Sequence, residues 1–260
     1  MKDNSDESPM YLFDSGFVSK MGLKTEGENA DYTPPPAFGE DFFDVLGAQR
    51  PDYQWLLIGP ERSASPFHKD PNATSAWNAV LTGAKYWIMF PGSTTPPGIY
   101  VSSTDQSDIT SPLSVAEWLL NFHAAARKAP GCMEGICGEG EVLHIPSGWW
   151  HLVVNLGPSL AVTENFVPRG HLASTLDFLK NKADHVTGFK EDVVDPYGLF
   201  LERMRDVFPD VLEESMKELE EKSKKRKWED VVNDAEDDEA GKGGGFSFGF
   251  GGDDSDVEVP

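Results

Sequence analysis

The chain has 260 residues, 22 of them basic and 44 acidic, for a formal net charge of −22. Phosphate binding needs concentrated positive charge, so this balance argues against nucleic acid as the main partner, although a local basic patch can be masked in a total. Two cysteines are too few for a disulfide framework or, without other ligands, a zinc site. No apolar run has membrane length, and a soluble intracellular chain with reduced thiols is expected.

Residues 1–10, MKDNSDESPM, are polar and read as a flexible terminus. From 11 to 170 the chain holds most of its tryptophans and many short apolar runs, separated by turn-rich strings such as PGSTTPPG and PSG. This pattern predicts many short strands around a sizeable core, and a mainly β fold of the double-stranded β-helix (jelly-roll, cupin-like) type is its natural form.

Within this region SPFHKDPNATSAWNAV carries His68 and Asp70. If the chain is extended there, residues i and i+2 point to one side, so both side chains can reach one metal while Lys69 faces away. His151, in IPSGWWHLVVN, arrives on a strand roughly eighty residues later. Two histidines and one carboxylate on one face of an iron leave about three of six positions open, as oxygen activation beside a co-substrate requires. An H-x-D triplet also arises by chance, and a lone histidine is commonly a surface or hydrogen-bonded residue.

Lys85 lies in LTGAKYWIMFP, a run that reads as a buried strand with Lys85, Trp87 and Met89 on one face. A buried lysine calls for an anion, and a bound dicarboxylate would supply it; a lysine at a strand start can instead snorkel to water. In PSLAVTENF, Ala161, Thr163 and Asn165 share a face, and the Thr163 hydroxyl would complete a grip on a carboxylate. By itself a strand threonine means only β-propensity.

SPLSVAEWLLNFHAAARKAPG predicts an inserted helix, with His123 on its surface. Cys132 and Cys137, in GCMEGICGEG, are expected in a loop before a strand.

Beyond Gly170 the period becomes helical. Leu172, Leu176 and Leu179 form one face, and PYGLFLERMRDVFPDVLEESMKELEEKSKKRKWEDVV suggests one or two further helices, giving a helical region over 171–232. The basic run Lys224, Lys225, Arg226 and Lys227 reads as a nuclear import signal or as a solvated helix end. Residues 233–260, acidic and glycine-rich with interspersed phenylalanines, are expected to be disordered.

The blocks RSASPFHKDPNATSAWNAVLTGAKYWIMFP and GEGEVLHIPSGWWHLVVNLGPSLAVTENF resemble the JmjC domain of the iron- and 2-oxoglutarate-dependent oxygenases, nearest the branch of the bifunctional arginine demethylase and lysyl-hydroxylase. The resemblance runs from about Tyr11 to Phe166. It implies His68, Asp70 and His151 as Fe(II) ligands and Ser65, Asn78, Lys85 and Thr163 as the 2-oxoglutarate pocket, with O2 as the second co-substrate. Ser65 stands where that branch usually has threonine, which keeps the hydroxyl.

Two departures stand out. Phe17 lies near the place of a tyrosine that helps hold the 2-oxoglutarate carboxylate, so one hydroxyl is expected to be missing. His144 stands where an apolar aromatic residue is usual, on the face of Val142, and reads as a structural substitution. Family members usually carry further elements ahead of YLFDSGF, so this chain reads as a minimal variant or one lacking its front.

The implied reaction is hydroxylation of a protein lysine or arginine side chain, or N-demethylation through hydroxylation, on a Lys/Arg-rich protein drawn to an acidic surface. An RNA (tRNA-base) hydroxylase and a non-catalytic scaffold are the alternatives. The resemblance further implies nuclear residence, with the cytoplasm as the alternative, and homodimerisation through the C-terminal helices.

Overall fold

The computed structural model describes residues 9–25, 27, 29–102, 109–110 and 114–240, with the side chains of 109–110 and 226–240 outside the description. It divides into two units, Met1–Met216 and Lys217–Pro260.

The first unit is built on eleven strands: β1 (Leu12–Asp14), β2 (Gln54–Gly59), β3 (Ala64–His68), β4 (Ser75–Thr82), β5 (Ala84–Phe90), β6 (Tyr100–Val101), β7 (Ile109–Thr110), β8 (Met133–Gly138), β9 (Val142–Ile145), β10 (Trp150–Asn155) and β11 (Ser159–Phe166). A major sheet has the order β1-β2-β11-β4-β9, a minor sheet the order β3-β10-β5-β8, and β6 pairs with β7. All pairings are antiparallel. This is the β-sandwich expected from the short apolar runs.

Alternation along each strand divides the side chains among three clusters. Ala76, Val80, Trp87, Met89, Ile145 and Val153 pack between the two sheets. Ile88, Phe90 and Leu152, one residue out of phase, join Phe67 and Trp118 on the outer face of the minor sheet. Phe17, Trp77, Val162 and Phe166 pack on the outer face of the major sheet. Ile88 and Phe90 are fully buried, and each such side chain contributes about 1.5–3 kcal/mol by leaving water.

The short α1 (Phe17–Met21) covers part of the major sheet. The inserted helix forms as two pieces, α2 (Val115–Asn121) and α3 (His123–Ala126), broken at Phe122, whose φ/ψ of −120° and −19° leave the helical region. Ser114 caps α2 by accepting from the Glu117 amide at 3.1 Å. Trp118 of α2 is buried edge-on against Phe67, with ring centroids 4.9 Å apart.

Two expectations need correction here. His123 is not bare helix surface: its Nε2 lies 3.0 Å from the Tyr86 hydroxyl and 3.2 Å from Glu134. Cys137 sits in β8, not in a loop, because its side chain completes the core between the sheets.

The helices α4 (Leu172–Asn181) and α5 (Pro196–Val207) follow, and α4 buries the predicted Leu172, Leu176 and Leu179. The helix α6 (Pro209–Ala240) carries the basic run, and its backbone continues through the start of the segment read as disordered. Residues 241–260 lie outside the description. No helix among the described residues is long and apolar enough to cross a membrane.

Candidate metal centre and co-substrate pocket

Strands β3 and β10 are neighbours, and their register sets His68 directly opposite His151. The two rings lie 4.1 Å apart, His151 Nε2 is 4.0 Å from Asp70 Oδ1, and ligand atoms of all three residues fall within 4.8 Å of one another. Register then slips by one residue, since Val153 pairs with Ser65. The extra residue is a β-bulge, a device that re-aims side chains. It brings Ser65 and His68, three positions apart and on opposite faces of a regular strand, to the same cavity.

The imidazoles are oriented by backbone carbonyls. His68 Nδ1 lies 2.8 Å from the Pro66 oxygen and His151 Nδ1 3.3 Å from the Trp149 oxygen. A ring N–H donated there leaves Nε2 as the free lone pair. Burial, and secondarily the neighbouring His68, push His151 down to about 4, so its ring is neutral near pH 7. Asp70 Oδ2 is buried without a hydrogen-bond partner among the described residues. An orphaned buried carboxylate oxygen is costly, and a cation held by the three side chains would satisfy it. The donor set and geometry fit a divalent metal with open positions.

The segment after Asp70 is anchored. Pro71–Ala73 forms a tight turn with Asn72 and Ala73 at φ of 54° and 52°. The buried Asn72 amide donates to the Thr187 carbonyl at 2.9 Å, and its Oδ1 accepts from the Thr187 amide at 3.0 Å. Ser147 Oγ and Thr175 Oγ1 both donate to the Ala73 carbonyl, at 2.6 and 3.1 Å. These contacts fix the backbone that carries the carboxylate.

Next to the triad lies a cavity of about 210 Å³ lined by Ser65, Asn78 and Thr163, as expected, together with Tyr11, Trp87 and Asn165. Asn78 Oδ1 and Trp87 Nε1 are buried without partners among the described residues, and a polar ligand in the cavity would supply them. Thr163 donates its one hydroxyl proton to the Trp77 carbonyl at 2.7 Å, so in this state it offers the cavity lone pairs and no donor.

Lys85 is fully buried on the predicted face, but it sits behind the cavity wall and does not line it. Its Nζ donates to the Tyr11 hydroxyl at 2.6 Å and to Asn155 Oδ1 at 2.8 Å. Burial pushes it down to about 8. Tyr11, pushed up to about 12 by burial, keeps its own proton and can donate it into the cavity.

Tyr11 also corrects the expectation at Phe17. Phe17 is buried in the outer cluster of the major sheet and leaves no gap in the pocket; the hydroxyl beside Lys85 comes from Tyr11. Asn155, at two-residue steps from His151 and Val153 along β10, is a further partner of Lys85 that alternation along the strand points to. Its Nδ2 donates to Ser63 Oγ at 2.7 Å, which fixes the oxygen offered to Lys85. His144 points away from the site, between Phe38 and Phe166 at ring distances of 5.5 and 6.0 Å.

Comparison with known proteins agrees with this geometry. A cupin-like domain matches residues 5–170. The chain is 42% identical over 221 residues to the arginine-specific demethylase JMJ22 of Arabidopsis thaliana, covering 83% of this chain and 42% of the relative. It is 35% identical over 172 residues to the bifunctional arginine demethylase and lysyl-hydroxylase psr-1 of Caenorhabditis elegans (64% and 42%), and 31% identical over 160 residues to the human 2-oxoglutarate and iron-dependent oxygenase JMJD4 (58% and 36%). The chain thus spans less than half the length of these relatives. With the sandwich, the triad and the match over most of the first unit in agreement, the chain belongs to the cupin-like domain family, in its JmjC branch.

Proposed function

We propose that this chain is an iron(II)- and 2-oxoglutarate-dependent oxygenase that hydroxylates lysine or arginine side chains of a protein, with N-demethylation the outcome where the hydroxylated carbon is an N-methyl group. The observation that carries this reading is the cross-strand His68/His151 pair closed by Asp70, whose Oδ2 has no partner among the described residues, beside a largely apolar cavity backed by a buried lysine.

Iron bound by the triad would supply oxygen activation coupled to the decarboxylation of 2-oxoglutarate. The residues of the chain have distinct parts in this. His151, neutral at pH 7, and His68 would hold the metal through Nε2, with the Asp70 carboxylate as the third ligand. Tyr11 would donate to the far carboxylate of the co-substrate, with Lys85 behind it as the counter-charge. Tyr11, Trp87 and Val153 line the space between and limit its water.

The names of the relatives point to arginine and lysine side chains, and a net charge of −22 favours a basic peptide over a polyanion. The test is turnover of the purified chain with iron, ascorbate and 2-oxoglutarate. Lys/Arg-rich peptides should raise succinate formation, the stimulation should fall as salt screens the attraction, and peptide mass should change by one oxygen or one methyl group. If such peptides leave turnover at its basal rate while a folded RNA raises it, the protein-substrate reading is wrong.

A further inference from the structure

The turn between β2 and β3, residues 60–63, lines no part of the co-substrate cavity, yet buried hydrogen bonds run from it to the ammonium behind the cavity wall. We propose that, in the 2-oxoglutarate oxygenase on which this inference rests, Ser63 is a positioning residue. Through Asn155 it holds the Lys85 ammonium on the Tyr11 oxygen.

The direction of each bond follows from counting protons. Ser63 Oγ lies 2.6 Å from the Pro60 carbonyl, which can only accept, so the single hydroxyl proton is spent there. The Ser63 oxygen must then accept from the Asn155 group 2.7 Å away, and that group is Nδ2. Oδ1 is thereby turned to Lys85, whose Nζ donates to it at 2.8 Å and to the Tyr11 oxygen at 2.6 Å. A reversed amide would set two donors against each other at Lys85 and two acceptors at Ser63. With its oxygen accepting from the ammonium, Tyr11 keeps its own proton for the cavity that it lines.

The turn is built to hold this arrangement. Ser63, Lys85 and Asn155 are each no more than 1% exposed, so water does not stand in for a lost partner. The backbone is tied at the same place: the Arg62 amide donates to the Asn155 carbonyl at 2.8 Å, and the Asn155 amide to the Ser63 carbonyl at 2.9 Å. Arg62 adopts φ 71°, which a residue with a side chain takes up only where its surroundings impose it. Gly59 supplies the room. A Cβ there would collide with Ser63 Oγ and stand 2.7 Å from Asn155 Nδ2 and 2.8 Å from the Tyr11 ring, so the three side chains meet in space that glycine leaves open.

A core that only needed filling would take an apolar side chain at position 85. The ammonium is bonded to two neutral oxygens and to no carboxylate among the described residues, and the co-substrate would bring the missing anion. The network therefore aims a charge, and Ser63 is its fixed end.

Calorimetric titration of the zinc-loaded full chain with 2-oxoglutarate reads binding without turnover. Ser63→Ala should weaken 2-oxoglutarate about three- to tenfold, the effect of one neutral hydrogen bond, while zinc affinity stays within about twofold of the parent. In a Lys85→Met background the same change should have no further effect, because a residue that acts only through the ammonium loses its influence with it.

A parent that binds no 2-oxoglutarate overturns the oxygenase reading, and this inference falls with it. A parent that binds, with parent-like affinity in Ser63→Ala or the full loss repeated in the Lys85→Met background, overturns the inference alone. Equal loss of zinc and 2-oxoglutarate does the same, since it makes Ser63 a support of the whole fold. If Ser63→Ala melts early, Ser63→Cys, which keeps the volume and offers only a weak acceptor, decides in its place, and parent-like binding by it refutes the proposal.

Discussion

Replacing Lys85 by methionine removes one ammonium while keeping most of the aliphatic stem, and it tests the co-substrate pocket directly. Without a ligand the ammonium is a burden on the fold, because burial lowers it from 10.5 to about 8. At ~1.4 kcal/mol per unit this is a penalty of about 3 kcal/mol. The folded protein releases this proton near pH 8 and the unfolded chain near 10.5, so the penalty is full below about 8 and fades as pH rises through that window. Against its removal stands the loss of the bonds to Tyr11 and Asn155, worth roughly 1–3 kcal/mol when an acceptor is left buried.

Lys85→Met should therefore melt within a few degrees of the parent at pH 7, and the rise in stability between pH 8 and 10.5 should flatten. Co-substrate binding should respond very differently. Lys85 reaches the co-substrate carboxylate only through Tyr11, so its loss should cost what one charge-assisted contact does, about 1.5–3 kcal/mol, which raises the 2-oxoglutarate requirement on the order of 10- to 10²-fold. Succinate formation titrated against 2-oxoglutarate gives this number, and metal analysis of the same protein should show iron retained. Superimposable 2-oxoglutarate curves, or iron and co-substrate lost by the same factor, would refute the role drawn from the Lys85–Tyr11 contact.

Asp70→Ala should abolish both iron retention and succinate formation, since loss of one of three ligands weakens and misshapes the site; undiminished turnover would remove the metal assignment. Asn72→Ala deletes both bonds to Thr187 and places a Cβ-bearing residue without a polar side chain at φ 54°, so a stability loss of about 1–3 kcal/mol is expected, with weaker iron retention because Asp70 lies two residues away. Denaturant melts and metal analysis would show it, and a parent-like variant would mean that the turn holds itself. Truncation after Asp230 should leave folding and turnover intact, because the residues beyond have the composition of a chain that cannot build a core. Insoluble or inactive truncated protein would contradict this.

The sequence by itself determined which side chains share a face. Strand alternation paired Lys85 with Trp87 and Thr163 with Asn165, and the helical period grouped Leu172, Leu176 and Leu179, because these periods follow from backbone geometry within a few residues. The metal triad was legible for the same reason at His68 and Asp70. What only the tertiary structure decided is non-local. The pairing of β3 with β10 sets His68 opposite His151, and one extra residue in β3 turns Ser65 into the same cavity. Packing of one sheet against the other brings Tyr11 to Lys85 across 74 residues of chain, so the hydroxyl expected to be missing at Phe17 is present from another position. Thr163 lines the cavity, yet its proton is taken by the Trp77 carbonyl of the adjoining strand. Register, bulges and the partners of buried polar groups depend on which strands meet, and that is a property of the whole packed chain.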